Sequence, residues 1–173
     1  MTTQDIRQLV VDYAYGCSIN PNVALAQINQ ESGFNPSAVG ADGERGIAQF
    51  MPGTWDRFGS GSFDNAPDVN LSLDAWCAYM QFLLSRYNYN YKLALQGYNG
   101  GEGHVDNNTV SARAQNYASS ILSAAGADEW GNPWPGDTLA GGDHPSGQTD
   151  WSKIALYGGI AVLAIGALML IRD

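Results

Sequence analysis

The sequence predicts a mainly α-helical domain, followed by a polar linker and a C-terminal single transmembrane helix. Three observations lead there. Apolar residues recur at three- and four-residue spacing up to about position 125, with no sustained alternation of the kind strands show. Proline and glycine punctuate the joints, at Pro36, Gly40, Gly43, Pro52, Gly59, Gly61 and Pro67, then at Gly100, Gly101 and Gly103. Beyond that the periodicity stops, and an uncharged apolar run closes the chain.

The first helix is expected over 4–16, where Ile6, Leu9, Val10 and Tyr13 share a face. "MTTQDIRQLVVDYAYG" lacks the basic start and continuous apolar run of a signal peptide, so it reads as part of the domain. A second helix is expected over 21–32. Asn20 caps it, Pro21 suits the first helical position, and Gly33 ends it. Further helices are expected over 46–58, 70–87, 91–99 and 109–124. The polar "GADGERG" between the second and third leaves room for a small hairpin.

From Gly126 to Asp150 the chain is rich in Gly, Pro and Asp and has no apolar period, which reads as an extended linker. Trp130 and Trp134 interrupt it; they either dock back onto the domain or lie at a membrane surface. Residues 154–171, "IALYGGIAVLAIGALMLI", carry no charge and sit at the short end of what spans a bilayer. Trp151 and Tyr157 suit an interface, and Lys153 and Arg172 can reach opposite headgroup layers. Ala155, Gly159 and Gly166 fall near one face, which offers helix–helix self-association. The expected organisation is therefore a domain over 1–125, a linker over 126–150 and an anchor over 151–173.

Composition narrows the function classes. Of 173 residues, 45% are hydrophobic, enough for one domain with a real core. A net charge of −9, with eight dispersed Lys and Arg residues, excludes a nucleic-acid surface. His104 and His144 are isolated and show no ligand spacing, so neither a metal nor another cofactor is expected. Cys17 and Cys77 are either two buried free thiols or one bridge between early helices, which leaves the redox compartment unread.

One carboxylate stands out. In "INQESGF" (28–34), Glu31 sits in the last turn of the second helix, at the negative end of the helix dipole. A glutamate near a helix end is ordinarily a solvated side chain. Val23, Ala24 and Ile28, however, lie eight, seven and three positions before it and put it on the apolar face. Burial and the dipole both raise a carboxyl pKa, and a glutamate protonated near neutral pH is what a general acid needs.

Three sequence words extend this into a family resemblance. Glu31–Ser32 ends a helix; "GIAQ" (Gly46 to Gln49) follows, with Met51–Pro52 directly after; "GYNGG" (Gly97 to Gly101) comes later. In that order and at those distances they resemble the lytic transglycosylases of the soluble, goose-lysozyme-like type, over about residues 6–122. The resemblance implies a lysozyme-like helical domain with a substrate cleft and no cofactor. It implies cleavage of the β-1,4 bond between N-acetylmuramic acid and N-acetylglucosamine in peptidoglycan, leaving 1,6-anhydro ends. Glu31 would be the single catalytic residue, acid first and then base, without the second carboxylate of ordinary glycosidases.

The resemblance also suggests substrate-binding roles. Gln49 would offer its amide to sugar hydroxyl or acetamido groups. The Tyr98 hydroxyl would lie within hydrogen-bond reach of Glu31, and Asn99 would line the cleft. Ser32 would bond sugar or orient the neighbouring carboxylate, and Phe50 and Met51 would wall the subsites. The chain departs from the family pattern at Gly40 and Ala41, where serine and proline are common, and at Ala48, where methionine is usual. The late word Glu-Thr-x-x-Tyr appears as "RAQNY": Tyr117 remains, with Arg113 and Ala114 in place of the acid and the threonine.

Competing expectations are a muramidase or chitin hydrolase on the same fold, and a non-catalytic glycan-binding membrane protein. The expected partners are peptidoglycan strands and, through 154–171, a lipid bilayer, with virion membrane proteins as further candidates. The expected location is a single-pass membrane protein with its N-terminal domain facing the wall. The membrane is that of a bacteriophage virion or the bacterial inner membrane.

Overall fold

The computed structural model describes residues 1–132. The expected anchor at 154–171, the linker from 133 onward, and Trp134 lie outside the described residues. Seven α-helices follow in order: α1 (Thr3–Gly16), α2 (Pro21–Ser32), α3 (Pro52–Phe58), α4 (Val69–Arg86), α5 (Tyr91–Gly100), α6 (Glu102–Asp106) and α7 (Ala112–Ala125). A short 3-10 turn at Phe63–Asn65 leads into α4. Among the described residues no helix is long and apolar enough to cross a membrane.

Local chemistry sets most boundaries. Thr2 and Asp5 form a reciprocal capping box at the start of α1, each side chain accepting from the other's backbone N–H. Asn20 accepts from the N–H groups of Asn22 and Val23, with Pro21 in the first turn of α2. Asp68, Asn90 and Ser111 cap α4, α5 and α7 in the same way. Gly33 and Gly126 end α2 and α7 in the left-handed conformation that an L-residue adopts only with strain.

The core lies where α2 packs on α1 and α7, and where α5 packs on α4 and α7. Ile28, Ile47, Trp55, Trp76, Leu83, Leu95 and Ile121 are among its largest members, each essentially without exposed surface. The two cysteines resolve to the second of the expected alternatives. Cys17, at the end of α1, is disulfide-bonded to Cys77 of α4, with Cα atoms 5.9 Å apart.

Two expectations need correction. The helix expected over 46–58 begins only at Pro52. Residues 46–49 form a tight loop between antiparallel bridges that pair Arg45 with Phe50 and Val39 with Arg45. This is the small β element for which the polar stretch left room. Ile47 and Ala48 are buried and stand eight and seven positions before Trp55, a spacing that mimics a helix, but Gly46 (φ 81°) and Gln49 (φ 50°) reverse the backbone. A β-carbon at Gly46 would collide with the Ala66 carbonyl, so the loop seats only glycine there.

The second correction concerns residues 126–132, which dock on the domain rather than opening the linker. Ala127 is buried, Lys92 N–H donates to the Glu129 carbonyl, and the Asn20 amide donates to the Gly131 carbonyl. Gly131 lies flat against the Tyr91 ring, where a β-carbon would not fit. The Trp130 side chain stays half exposed and does not dock.

Candidate active site

Glu31 projects from the last turn of α2 into a cavity of about 530 Å³, lined by α2, the 44–51 segment, α5 and α7. Burial pushes its carboxyl pKa up to about 7, from a normal value of 4.5. A hydrogen bond from Tyr117 opposes that rise, the nearby Glu44 carboxylate adds to it, and Arg113 opposes it again. Near neutral pH, Glu31 is therefore divided between acid and carboxylate. A proton donor that must later become a base needs that poise.

The hydrogen bond to Glu31 comes from Tyr117 of α7, across 86 positions of sequence. It ends a buried chain that fixes its direction. Trp76 Nε1 is a donor only, and it donates to Gln27 Oε1 at 3.1 Å. That contact sets the Gln27 amide so that its Nε2 donates to the Tyr117 hydroxyl oxygen at 3.3 Å. With its oxygen accepting, the tyrosine's own proton points to Glu31. Gln27 and Trp76 have no exposed surface, so water does not compete for these bonds.

The three sequence words meet at the 46–49 loop. Ser32 Oγ donates to the Ile47 carbonyl at 2.7 Å, and Tyr98 Oη donates to the Ala48 carbonyl at 2.7 Å. Gln49 Nε2 donates to the carbonyls of Gly46 and Ala38, at 2.8 and 3.1 Å. The Ser32 and Tyr98 tethers occupy the Ile47 and Ala48 carbonyls, the Gln49 amide adds to backbone bonds already made to Gly46 and Ala38, and together they hold the left-handed Gln49 in place.

Several expected roles change accordingly. The Tyr98 hydroxyl is committed to Ala48 rather than Glu31, although its ring lines the cavity. The Ser32 hydroxyl is spent on the loop and on the Ile28 carbonyl, and Ser32 does not line the cavity. Phe50 is 2% exposed and packs edge-on against Trp55, so it belongs to the core and walls no subsite. Gln49, Met51 and Asn99 do line the cavity, with the Gln49 N–H groups turned to the loop and its carbonyl oxygen remaining. Gln30, Glu44, Arg113, Asn116, Tyr117 and Ser120, to which the sequence assigned no place in the site, complete the wall.

Glu44 occupies space that Gly40 leaves open. A β-carbon at Gly40 would displace the Glu44 carboxylate and crowd the Gln49 amide oxygen. The departure from serine at position 40 thus accompanies a second carboxylate on the cavity wall. The Glu44 side chain is held by the Asp42 N–H at 3.0 Å.

A catalytic-type glutamate at the end of a buried helix, a loop of "GIAQ" type beneath it and a tyrosine from "GYNGG" tied to that loop form one constellation. The family profile described as the transglycosylase SLT domain matches residues 8–121. The chain belongs to that family. A soluble lytic murein transglycosylase of Salmonella typhimurium is 30% identical over 107 residues, which cover 56% of this chain and 16% of that protein. The fold is similar to the lytic transglycosylase Slt of Pseudomonas aeruginosa, solved as an inactive mutant. There the identity is 25% and the TM-score 0.59, over 73% of this chain and 25% of the other. It is similar as well to the 70 kDa soluble lytic transglycosylase of Escherichia coli, with 22% identity and a TM-score of 0.59, over 70% and 23% of the two chains. The chain thus spans a quarter or less of the length of these relatives.

Within this SLT domain the word that looked eroded turns out to border the acid. Tyr117, the surviving residue of "RAQNY", reaches Glu31, and Arg113 at the head of the same word joins the cavity wall. The available signal was helical spacing. Arg113, Tyr117 and Ser120 stand at i, i+4 and i+7, so a tyrosine in the site implies its neighbours on that face.

Proposed function

We propose that the chain is a membrane-anchored peptidoglycan lytic transglycosylase. Its SLT domain would cleave the β-1,4 bond between N-acetylmuramic acid and N-acetylglucosamine and leave 1,6-anhydro-muramyl ends. The observation that carries this reading is Glu31, half-buried on the cavity wall, with a pKa raised to about 7. The protonated carboxyl gives its proton to the glycosidic oxygen as the bond from C1 to that oxygen breaks. The resulting carboxylate takes the proton of the muramic C6 hydroxyl as that oxygen bonds to C1. One proton leaves Glu31 and one returns, so no water is consumed. Tyr117 holds the carboxylate between the two steps, and Met51 and the Tyr98 ring give the sugar an apolar wall.

Exposure to the wall is the second part of the proposal. The Cys17–Cys77 disulfide fits an oxidising, extracytoplasmic setting. The uncharged run at 154–171 fits a single-pass anchor, with the SLT domain on the wall side. A bacteriophage virion membrane, with the enzyme opening the wall locally at infection, is the setting we favour over the bacterial inner membrane.

A second reading, hydrolysis by a muramidase mechanism, draws support from Glu44. Glu44 shares the cavity with the acid, and an inverting glycosidase uses a second carboxylate as the base that activates water. Mass spectrometry of fragments released from purified sacculi by the full-length chain separates the readings. Anhydro ends support transglycosylation and reducing ends support hydrolysis. Absence of any release, with Glu31→Gln indistinguishable from the parent, would overturn both.

A further inference from the structure

The lining of the cavity includes one cation, Arg113, and no step of the proposed reaction uses it. Among the described residues, Arg7 lies over the Phe34 ring at 4.7 Å, and Arg45 pairs with Asp64 at 2.9 Å. Arg57 pairs with Glu102 at 2.6 Å, and Arg86 is paired with Asp106. Every described arginine except Arg113 thus has an aromatic or carboxylate partner. Arg113 has no hydrogen bond, ion pair or ring contact among these residues, and it is the arginine on the cavity wall.

Its position is also unfavourable to its helix. Arg113 is the second residue of α7, at the positive end of the helix dipole, where a cation is not stabilised. Asn116 and Ser120 follow at three and seven positions along α7, and all three residues are solvent-exposed and line the cavity. A guanidinium presents a planar fork of N–H donors that matches a carboxylate; the Arg113 charge is felt by Glu31, but no described carboxylate forms an ion pair with it.

We propose that Arg113, with Asn116 beside it, is an anion-recognising subsite that selects glycan strands bearing a carboxylate next to the bond to be cut. The proposal rests on the glycan-cleaving reading of the same cavity. In peptidoglycan the carboxylate has two sources: the free lactyl group of peptide-free muramic acid, or a carboxylate of the stem peptide. An uncharged polymer of N-acetylglucosamine has neither. The departure of "RAQNY" from an acidic first residue therefore puts a positive charge at this point of a wall that also carries Glu31 and Glu44.

The test measures binding without turnover, in the full-length chain carrying Glu31→Gln. Three soluble ligands are titrated by calorimetry: peptide-free muramic-acid-containing glycan, the same glycan with stem peptides, and a chito-oligosaccharide of equal length. Adding Arg113→Gln is expected to weaken at least one carboxylate-bearing ligand by about tenfold relative to the chito-oligosaccharide. Arg113→Lys should restore part of that loss, because it keeps the charge and loses the fork. Selective loss on the peptide-free glycan identifies the lactyl group, and selective loss on the peptide-bearing glycan alone identifies the stem. An equal effect on all three ligands, or no effect, overturns the subsite and leaves the glycan-cleaving reading standing. If the chain with Glu31→Gln bound none of the three, both would fall.

Discussion

Tyr117→Phe separates an active-site hydrogen bond from ordinary core packing. The substitution keeps the ring, which is 7% exposed and packed in the core, and removes the one proton directed at Glu31. A hydrogen bond to a charged group is worth about 1.5–3 kcal/mol, and one pKa unit corresponds to about 1.4 kcal/mol. Tyr117 holds the Glu31 pKa down, so its removal should raise that pKa by about one to two pH units. A general acid works while protonated, so activity is lost as pH rises through its pKa. The upper limb of kcat/KM against pH should accordingly move from about 7 to higher pH. The plateau should fall by about tenfold, because a carboxyl no longer held in place meets the glycosidic oxygen less often. The Gln27 amide also loses its acceptor, at a cost of about 1–3 kcal/mol in stability. The assay is wall clearance from about pH 5 to pH 10, with a thermal melt of the same sample. An unmoved upper limb would refute the account of how Glu31 is poised, even if the plateau fell.

Tyr98→Phe is the control from the other sequence word. It loses the bond to the Ala48 carbonyl, so it should lower stability by about 1 kcal/mol and leave the pH limb in place. A shift like that of Tyr117→Phe would mean that the two hydroxyls exchange partners in solution. Glu44→Gln removes a negative charge that raises the Glu31 pKa, and the upper limb should move to lower pH. A limb that rose instead would show that Glu44 is not electrostatically coupled to the acid. The same variant, assayed for products, would abolish cleavage only if the hydrolytic reading holds. Replacing Cys17 and Cys77 by serine, or reducing the disulfide, opens a loop of sequence separation 60 and should cost about 2–4 kcal/mol, read as a lower Tm. A Tm unchanged by reductant would argue against a bridge between α1 and α4.

The sequence by itself determined what depends on neighbours a few residues away. Asn20, Pro21 and Gly33 bound α2 because capping and left-handed termination act within one turn, and the expected 21–32 coincides with the helix. Glu31 was legible for the same reason: the apolar spacing of Val23, Ala24 and Ile28 fixes the face from which it projects. The family words identified the site because they are short, ordered and local. Tertiary structure decided which distant partners these groups meet. Both Tyr98 and Tyr117 are helical tyrosines in motif-like words, and nothing within either word says which hydroxyl will face α2. The packing of α7 on α2 gives Glu31 to Tyr117, while the buried Trp76–Gln27 pair, drawn from α4 and α2, aims the proton. Ile47 and Ala48 stand at helical spacing from Trp55, yet tethers from Ser32 and Tyr98 bind their carbonyls into a loop. Arg113 gains its meaning only from the company it lacks. A sequence shows a charge, but whether that charge is already neutralised is settled by which side chains folding places beside it.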